Sequence, residues 1–340
     1  MAFTLYIDKA VGETRAALFD EVGPLALAFE RADEAIRRPR LGEVWAARAL
    51  AHDPRIGATR LDLGTAGQAI LPETGGAIPP EGTRLTVRIA REAHSGKRAR
   101  VVLIGTAKGA EGRLEPGPDL TARLGAPSGL APIEGLDARA AIDLACDMAL
   151  AEVWALPGGG TIAIEPTRAL TAIDIDAAER PAPKGRRAME AAMNDAALIK
   201  AARALRLKGL GGQIVLDCVG RMSPASLKAL ADRFEAALNW QEGAKAAPVP
   251  AMGLVAARIP ALIQPVAERL ADPLARALAG LRALETLGME ERGRALTLTL
   301  PPSDHAALLA WEHDWRGDLS GRIGARFEAV SGPRFSVHAA

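Results

Sequence analysis

Two acid-bearing stretches constrain this chain more than any other feature. Thr171 to Asp176 reads TAIDID, so Ile173 and Ile175 alternate with Asp174 and Asp176. In a strand, that alternation puts the isoleucines on one face and the aspartates on the other. Gly211 to Asp217 reads GGQIVLD, a short apolar run that ends in an acid. It fits a buried strand with a carboxylate at its C-terminal edge. Between the two, Arg187 to Leu207 has helical character. Strand, helix, strand favours two parallel neighbours joined by a crossover. The acids then fall at one end of a sheet, where open α/β sheets place their sites. Two or three carboxylates converging there suit a hard divalent cation.

Composition narrows the class. The chain has 340 residues, enough for two or three domains of about 150 residues each. Aromatic residues are only 4%, so the core must rest on Leu, Ala, Val and Ile. The net charge of +1 means that any nucleic-acid footprint is local. Two cysteines, Cys146 and Cys218, exclude a cysteine-built zinc site and a disulfide framework. The first residues carry charges where a signal peptide is apolar. No uncharged run approaches the roughly 20 residues that span a bilayer. A soluble, cytoplasmic protein without a membrane partner is expected. The scattered histidines lack HExxH spacing, and the run Gly158 to Gly160 is not followed by GK[ST]. No GxSxG elbow occurs.

In chain order, Phe3 to Ile7 and Thr14 to Phe19 predict a hairpin turning at Val11-Gly12. Short glycine-punctuated strands from Gly42 to about Thr106 predict a small barrel. Lys108 to Leu136 reads as a loop or linker. Asp137 to Trp154 predicts an amphipathic helix. Ser223 and Pro224 suit the N-cap and first position of a helix to Leu238. A strand follows within Pro248 to Ile259, then helix to about Leu287. A strand at Ala295 to Leu300, a helix to about Trp315 and two closing strands complete the pattern.

The run Leu156 to Gly212, with LPGGGTIAIEPTRALTAIDID and RALRLKGLGGQIVLD, and Met222 to Pro224 after it, resembles the DNase I-like catalytic subdomain of the ribonuclease E/G family. ETRAALFD resembles the N-terminal strand of that family's RNase H-like subdomain. Gly42-Glu43, Asp62-Leu63-Gly64 and Ile70-Leu71-Pro72 resemble its OB-fold domain. The implied architecture is multi-domain α/β. An OB-fold β-barrel (37–106) is inserted in an RNase H-like remnant (1–36 and 107–149). A DNase I-like α/β catalytic subdomain (150–270) and a small α+β C-terminal domain (271–340) follow.

The resemblance also implies function. Asp174 and Asp217 are expected to hold Mg²⁺, with Mn²⁺ as the alternative ion and no zinc. Asp176 stands where the family has an orienting Asn and completes the catalytic set. The substrate is expected to be single-stranded RNA rather than DNA, cleaved to 5′-phosphate and 3′-hydroxyl ends. The alternative is a catalytically weak or inactive RNA-binding protein of the same fold. Arg60, Lys97, Arg98 and Arg100 on the barrel, and Arg180, Lys184 and Arg186 after Asp176, are the candidate RNA contacts. The chain departs from the family in several places. Arg60 and Ile70 occupy the positions of its base-stacking aromatics. Gly220 and Arg221 occupy the place of a second acid after Asp217. The 5′-sensing insertion is lacking, and so is the CPxCxG zinc link, which leaves a monomer or a dimer joined without zinc.

Overall fold

The computed structural model describes residues 2–32, 34–177 and 185–340. The chain divides into two compact units. One comprises Met1–Glu21, Leu27–Asp143 and Ile263–Ala340; the other comprises Val22–Ala26 and Leu144–Leu262.

The first unit opens with β1 (Thr4–Ala10) and β2 (Glu13–Asp20). They pair antiparallel from Thr4↔Phe19 to Ala10↔Glu13, so Val11-Gly12 is the turn that the sequence predicts. Gly12 has φ +66°, and a Cβ there would sit 1.9 Å from Cη2 of Trp311. Both the backbone and the space therefore demand glycine. β3 (Gly23–Arg31), whose residues up to Ala26 are assigned to the second unit, and α1 (Glu34–Arg37) follow.

Five strands then close on themselves: β4 (Val44–Asp53), β5 (Ala58–Asp62), β6 (Gln68–Pro72), β7 (Arg84–Arg91) and β8 (Ala99–Thr106). Their order is β5-β6-β8-β7-β4, with β4 returning to β5. Only the β6–β8 pairing is parallel. This is a closed, OB-like barrel. Period-two alternation fills its interior with Trp45, Leu61, Leu63, Val87, Ile89 and Val101. The stretch that reads as a linker holds β9 (Gly112–Glu115), α2 (Leu120–Leu124) and β10 (Pro132–Ile133). The short helix α2 is capped by Asp119, whose carboxylate accepts from the Ala122 amide at 2.8 Å.

Helix α3 (Leu136–Leu150) stops four residues short of the predicted Trp154. That tryptophan lies in β11 (Val153–Ala155), and its indole donates back to the Ala151 carbonyl at 3.1 Å.

The second unit is built on β11, β12 (Thr161–Pro166), β13 (Thr171–Asp176), α4 (Arg186–Lys208), β14 (Gly212–Asp217), α5 (Pro224–Ala237), β15 (Lys245–Val249) and β16 (Leu254–Ile259). The sheet order is β11-β12-β13-β14-β16-β15. As predicted, β13 and β14 are parallel neighbours joined through α4. The predicted strand within Pro248 to Ile259 is β16, and β15 precedes it as an antiparallel neighbour across a short helical turn. One sheet face buries Ile162, Ile164, Ile173, Ile175, Ile214, Leu216 and Val255. Leu198 of α4 and Leu230 and Phe234 of α5 meet Leu216 and Val255 on that side.

The chain ends in the first unit with α6 (Val266–Leu270), α7 (Pro273–Glu290), β17 (Leu296–Leu300), α8 (Pro302–Leu309), α9 (Trp315–Ile323), β18 (Phe327–Ser331) and β19 (Ser336–Ala339). β17 lies between the other two strands. Leu281, Leu284, Leu298, Leu300, Trp311 and Trp315 pack there around Val11.

This unit also buries ion pairs. Asp8 accepts from Arg15 at 2.6 Å and from Arg139 at 3.1 Å, and Arg139 also reaches Glu285 at 2.8 Å. Glu13 takes Arg31 at 3.0 Å and Arg282 at 2.7 Å. Glu34 takes Arg269 at 2.7 Å and Arg40 at 3.2 Å. Each of these side chains is less than one-tenth exposed. Charges survive such burial only when paired and hydrogen-bonded, as here. Among the described residues, no helix is long and apolar enough to cross a membrane.

Candidate metal and RNA site

The register of β13 on β14 runs Thr171↔Ile214, Ala172↔Val215, Ile173↔Leu216. One step further places Asp174 beside Asp217, on strands about 4.8 Å apart. Ile173, Ile175, Ile214 and Leu216 are buried, whereas Asp174, Asp176 and Asp217 are exposed. Both carboxylates therefore leave the open face of the sheet, side by side, at the C-terminal ends of two parallel strands. Ala163 pairs with Asp174 on one flank, and Leu254 pairs with Asp217 on the other. The row thus carries two acids bounded by small or apolar neighbours.

Like charges directly opposed in a sheet repel. At about 5 Å the penalty is about 1 to 3 kcal/mol across the dielectrics of water and protein surface. Neither acid has an ion pair or side-chain hydrogen bond among the described residues. A divalent cation between them would offset that repulsion. Mg²⁺ is commonly held through one or two carboxylates, with waters filling the remaining positions, so this donor set fits it. Asp176 lies two residues on along the same face, in register with Thr161. Among the described residues, no group of three or more His, Cys, Asp or Glu is placed to hold an ion. The arrangement is thus an acid pair with Asp176 alongside. Burial, and after it the Asp217 carboxylate, pushes the neighbouring Cys218 thiol up to about 11. Cys218 is consequently a neutral, packed group at physiological pH.

Of the basic residues after Asp176, Arg180 and Lys184 lie outside the described residues. Arg186 is exposed at the first position of α4, where it meets Glu190 at 2.7 Å.

On the barrel, Arg60 of β5 pairs with Ile70 of β6, and Ile70 pairs with Arg100 of β8. Arg100 in turn pairs with Arg91 of β7. Direct cross-strand partners share a face. Arg60, Ile70, Arg100 and Arg91 therefore form one row across four strands. Burial, then the Arg100 charge, lowers the Arg91 guanidinium from its ordinary value. Lys97 and Arg98 are exposed, Lys97 at the end of the turn between these strands.

The chain order also hides further residues around the site. Asn194, in the middle of α4 and 1% exposed, grips the loop after Asp217. Its amide donates to the Val219 carbonyl at 3.0 Å, and its oxygen accepts from the Val219 amide at 3.0 Å. A polar residue in a helix interior was the available signal. On the open face, Gln213 pairs with Arg258, and Arg258 with Lys245. These lie about 13 Å along β14 from Asp217.

Residues 133–256 match the ribonuclease E/G family. The chain is 41% identical to ribonuclease E of Escherichia coli (strain K12) over 86 residues, 25% of this chain and 8% of that protein. It is 44% identical to the putative ribonuclease E of Buchnera aphidicola subsp. Baizongia pistaciae (strain Bp) over 72 residues, 21% of this chain and 17% of that protein. The shared stretch is therefore a small part of each relative.

Proposed function

We propose that this chain, whose residues 133–256 match the ribonuclease E/G family, is a Mg²⁺-dependent endoribonuclease of single-stranded RNA. The carrying observation is the couple Asp174 and Asp217, each exposed one step beyond the last paired residues of two parallel strands, with no ion pair among the described residues. These two carboxylates hold the ion, and Asp176 adds negative charge beside them. A bound ion would activate a water for attack on phosphorus and offset the charge that builds there; with the P–O3′ bond broken and the 3′-oxygen leaving and taking up a proton, the products would carry 5′-phosphate and 3′-hydroxyl ends. The small side chains of Ala163 and Ala172 let a sugar–phosphate backbone approach the acids. Asn194 fixes the loop that follows Asp217 and so holds the strand end in place. The barrel row of Arg60, Arg91 and Arg100 supplies phosphate contacts elsewhere on the strand.

One observation favours a second reading, an RNA-binding protein with weak or no catalysis. Ile70, at the centre of the barrel row, offers no ring on which a base can stack. Stacking contributes about 1–3 kcal/mol per base.

Incubation of the full chain with end-labelled, AU-rich single-stranded RNA separates the two. Cleavage is expected with Mg²⁺, to cease with EDTA, and to return when Mg²⁺ is restored in excess. Cleavage that persists in EDTA contradicts the assignment. RNA binding without cleavage at any Mg²⁺ or Mn²⁺ concentration establishes the second reading.

A further inference from the structure

Four residues beyond Asp217, a cavity of about 410 Å³ opens between α4 and α5. Arg187, Arg221 and Arg233 line it, with Ser223 and Ser226 beside them. Met222, Ala191, Ala229 and Leu230 give it an apolar wall. Arg233 is held by Asp195 at 2.6 Å, and the one lining acid, Glu190, is neutralised by Arg186 at 2.7 Å. Arg187 and Arg221 are exposed and have no ion pair among the described residues. The cavity therefore carries a net positive charge that the described residues leave uncompensated.

The cavity is shaped by its backbone. Asn194 clamps Val219 from below, as described above. Gly220 follows with φ +79°, and a Cβ there would meet Glu190 Oε2 at 2.3 Å. The positive φ favours glycine at this turn, whereas the Glu190 carboxylate could swing aside, and the course of the loop carries Arg221 to the cavity.

We propose that this crevice binds one nucleotide of a single-stranded RNA, its phosphate between Arg187 and Arg221 and its base against the apolar wall. The volume exceeds what a free phosphate needs and lies in the range of small-molecule sites. Planar guanidinium forks match phosphate oxygens in paired hydrogen bonds. The Ser223 and Ser226 hydroxyls, 2.9 Å apart, add donors of the kind phosphates accept. The proposal rests on RNA being the ligand, but not on catalysis.

The test is equilibrium binding of a labelled single-stranded oligoribonucleotide to the full chain in EDTA, followed across a salt series. Under these conditions a failure of the metal assignment leaves the result untouched. The Arg187→Ala/Arg221→Ala double variant is expected to bind about tenfold more weakly at low salt. Its salt slope should fall by about 1.4, because two contacts to a single strand are lost. The Arg187→Lys/Arg221→Lys variant should recover the slope but only part of the affinity, since lysine keeps the charge and loses the fork. The control pair Arg168→Ala/Arg292→Ala removes equal charge from sites outside the crevice and should hold the wild-type slope. If the double alanine variant differs from wild type no more than this control does, the proposal is overturned. Equal competition for the crevice by a polyglutamate peptide also overturns it, because general electrostatics would then explain the binding.

Discussion

Replacing Asp217 by asparagine is expected to lower RNA cleavage about a thousandfold, a loss of about 4 kcal/mol of transition-state stabilisation. The substitution keeps the shape of the side chain and removes one of the two charges that hold the ion. Asp217 is exposed at the end of β14, so the folded state loses no packing. Removing a charge that sits in register with Asp174 also relieves repulsion. Thermal unfolding should therefore stay within about 0.5 kcal/mol of wild type, or rise. Asp174→Asn should behave alike. The double variant should be no worse than either single change, because two ligands of one ion act as a unit. Rates from single-turnover assays, measured beside denaturant curves, check this. A tenfold or smaller loss at saturating Mg²⁺ contradicts the shared-ion geometry.

Replacing Glu34 by glutamine is expected to destabilise the first unit by about 3 to 5 kcal/mol at pH 7. The side chain is 6% exposed, and Arg269, Arg31 and Arg40 surround it. Burial alone raises a carboxyl, but the Arg269 guanidinium, with Arg31 and Arg40 behind it, overrides this and lowers Glu34 to about 2. Its folded value thus lies below its unfolded one, near 4.5. The stabilisation, about 3 kcal/mol from that difference, is present above pH 4.5 and is lost as the pH falls towards 2. The glutamine variant lacks this titration. Urea unfolding of wild type and variant should therefore show a gap that is constant from pH 7 to about 5 and narrows below it. A gap that widens on acidification contradicts the arrangement.

The two kinds of site differ in how openly the sequence displays them. Alternation in TAIDID names the faces of Ile173 and Asp174 at once, because a strand has a period of two. The capping pair Ser223-Pro224 is equally local, and the structure shows the Ser223 hydroxyl accepting from the Ser226 amide at 3.1 Å. Register is not local. Asp174 and Asp217 each follow the last paired residues, Ile173 and Leu216, only because β13 and β14 run parallel in that register, and the helix between them carries no sign of it. Arg60, Ile70, Arg100 and Arg91 likewise become neighbours only when the barrel closes.

The buried ions were the least visible of all. Asp8, Glu13 and Arg15 sit in strands where charges ordinarily mark the solvent face, yet each is almost wholly enclosed. Asp8 has a near partner in Arg15, but Arg139, which joins Asp8, and Arg282, which joins Glu13, lie more than 120 residues away, so the sequence nearby announces only part of each network. The end of α3 was obscured for a different reason. Trp154 continues the apolar period of the helix, and only its placement in β11 shows that the backbone has already turned.

Electron paramagnetic titration of Mn²⁺ into the full chain, with RNA absent, tests the pairing of Asp174 and Asp217 most directly. One bound ion is predicted for wild type, weakened by at least tenfold in Asp174→Asn and in Asp217→Asn alike. Equal Mn²⁺ binding by all three proteins, or loss in only one of the two variants, would show that these acids do not share an ion.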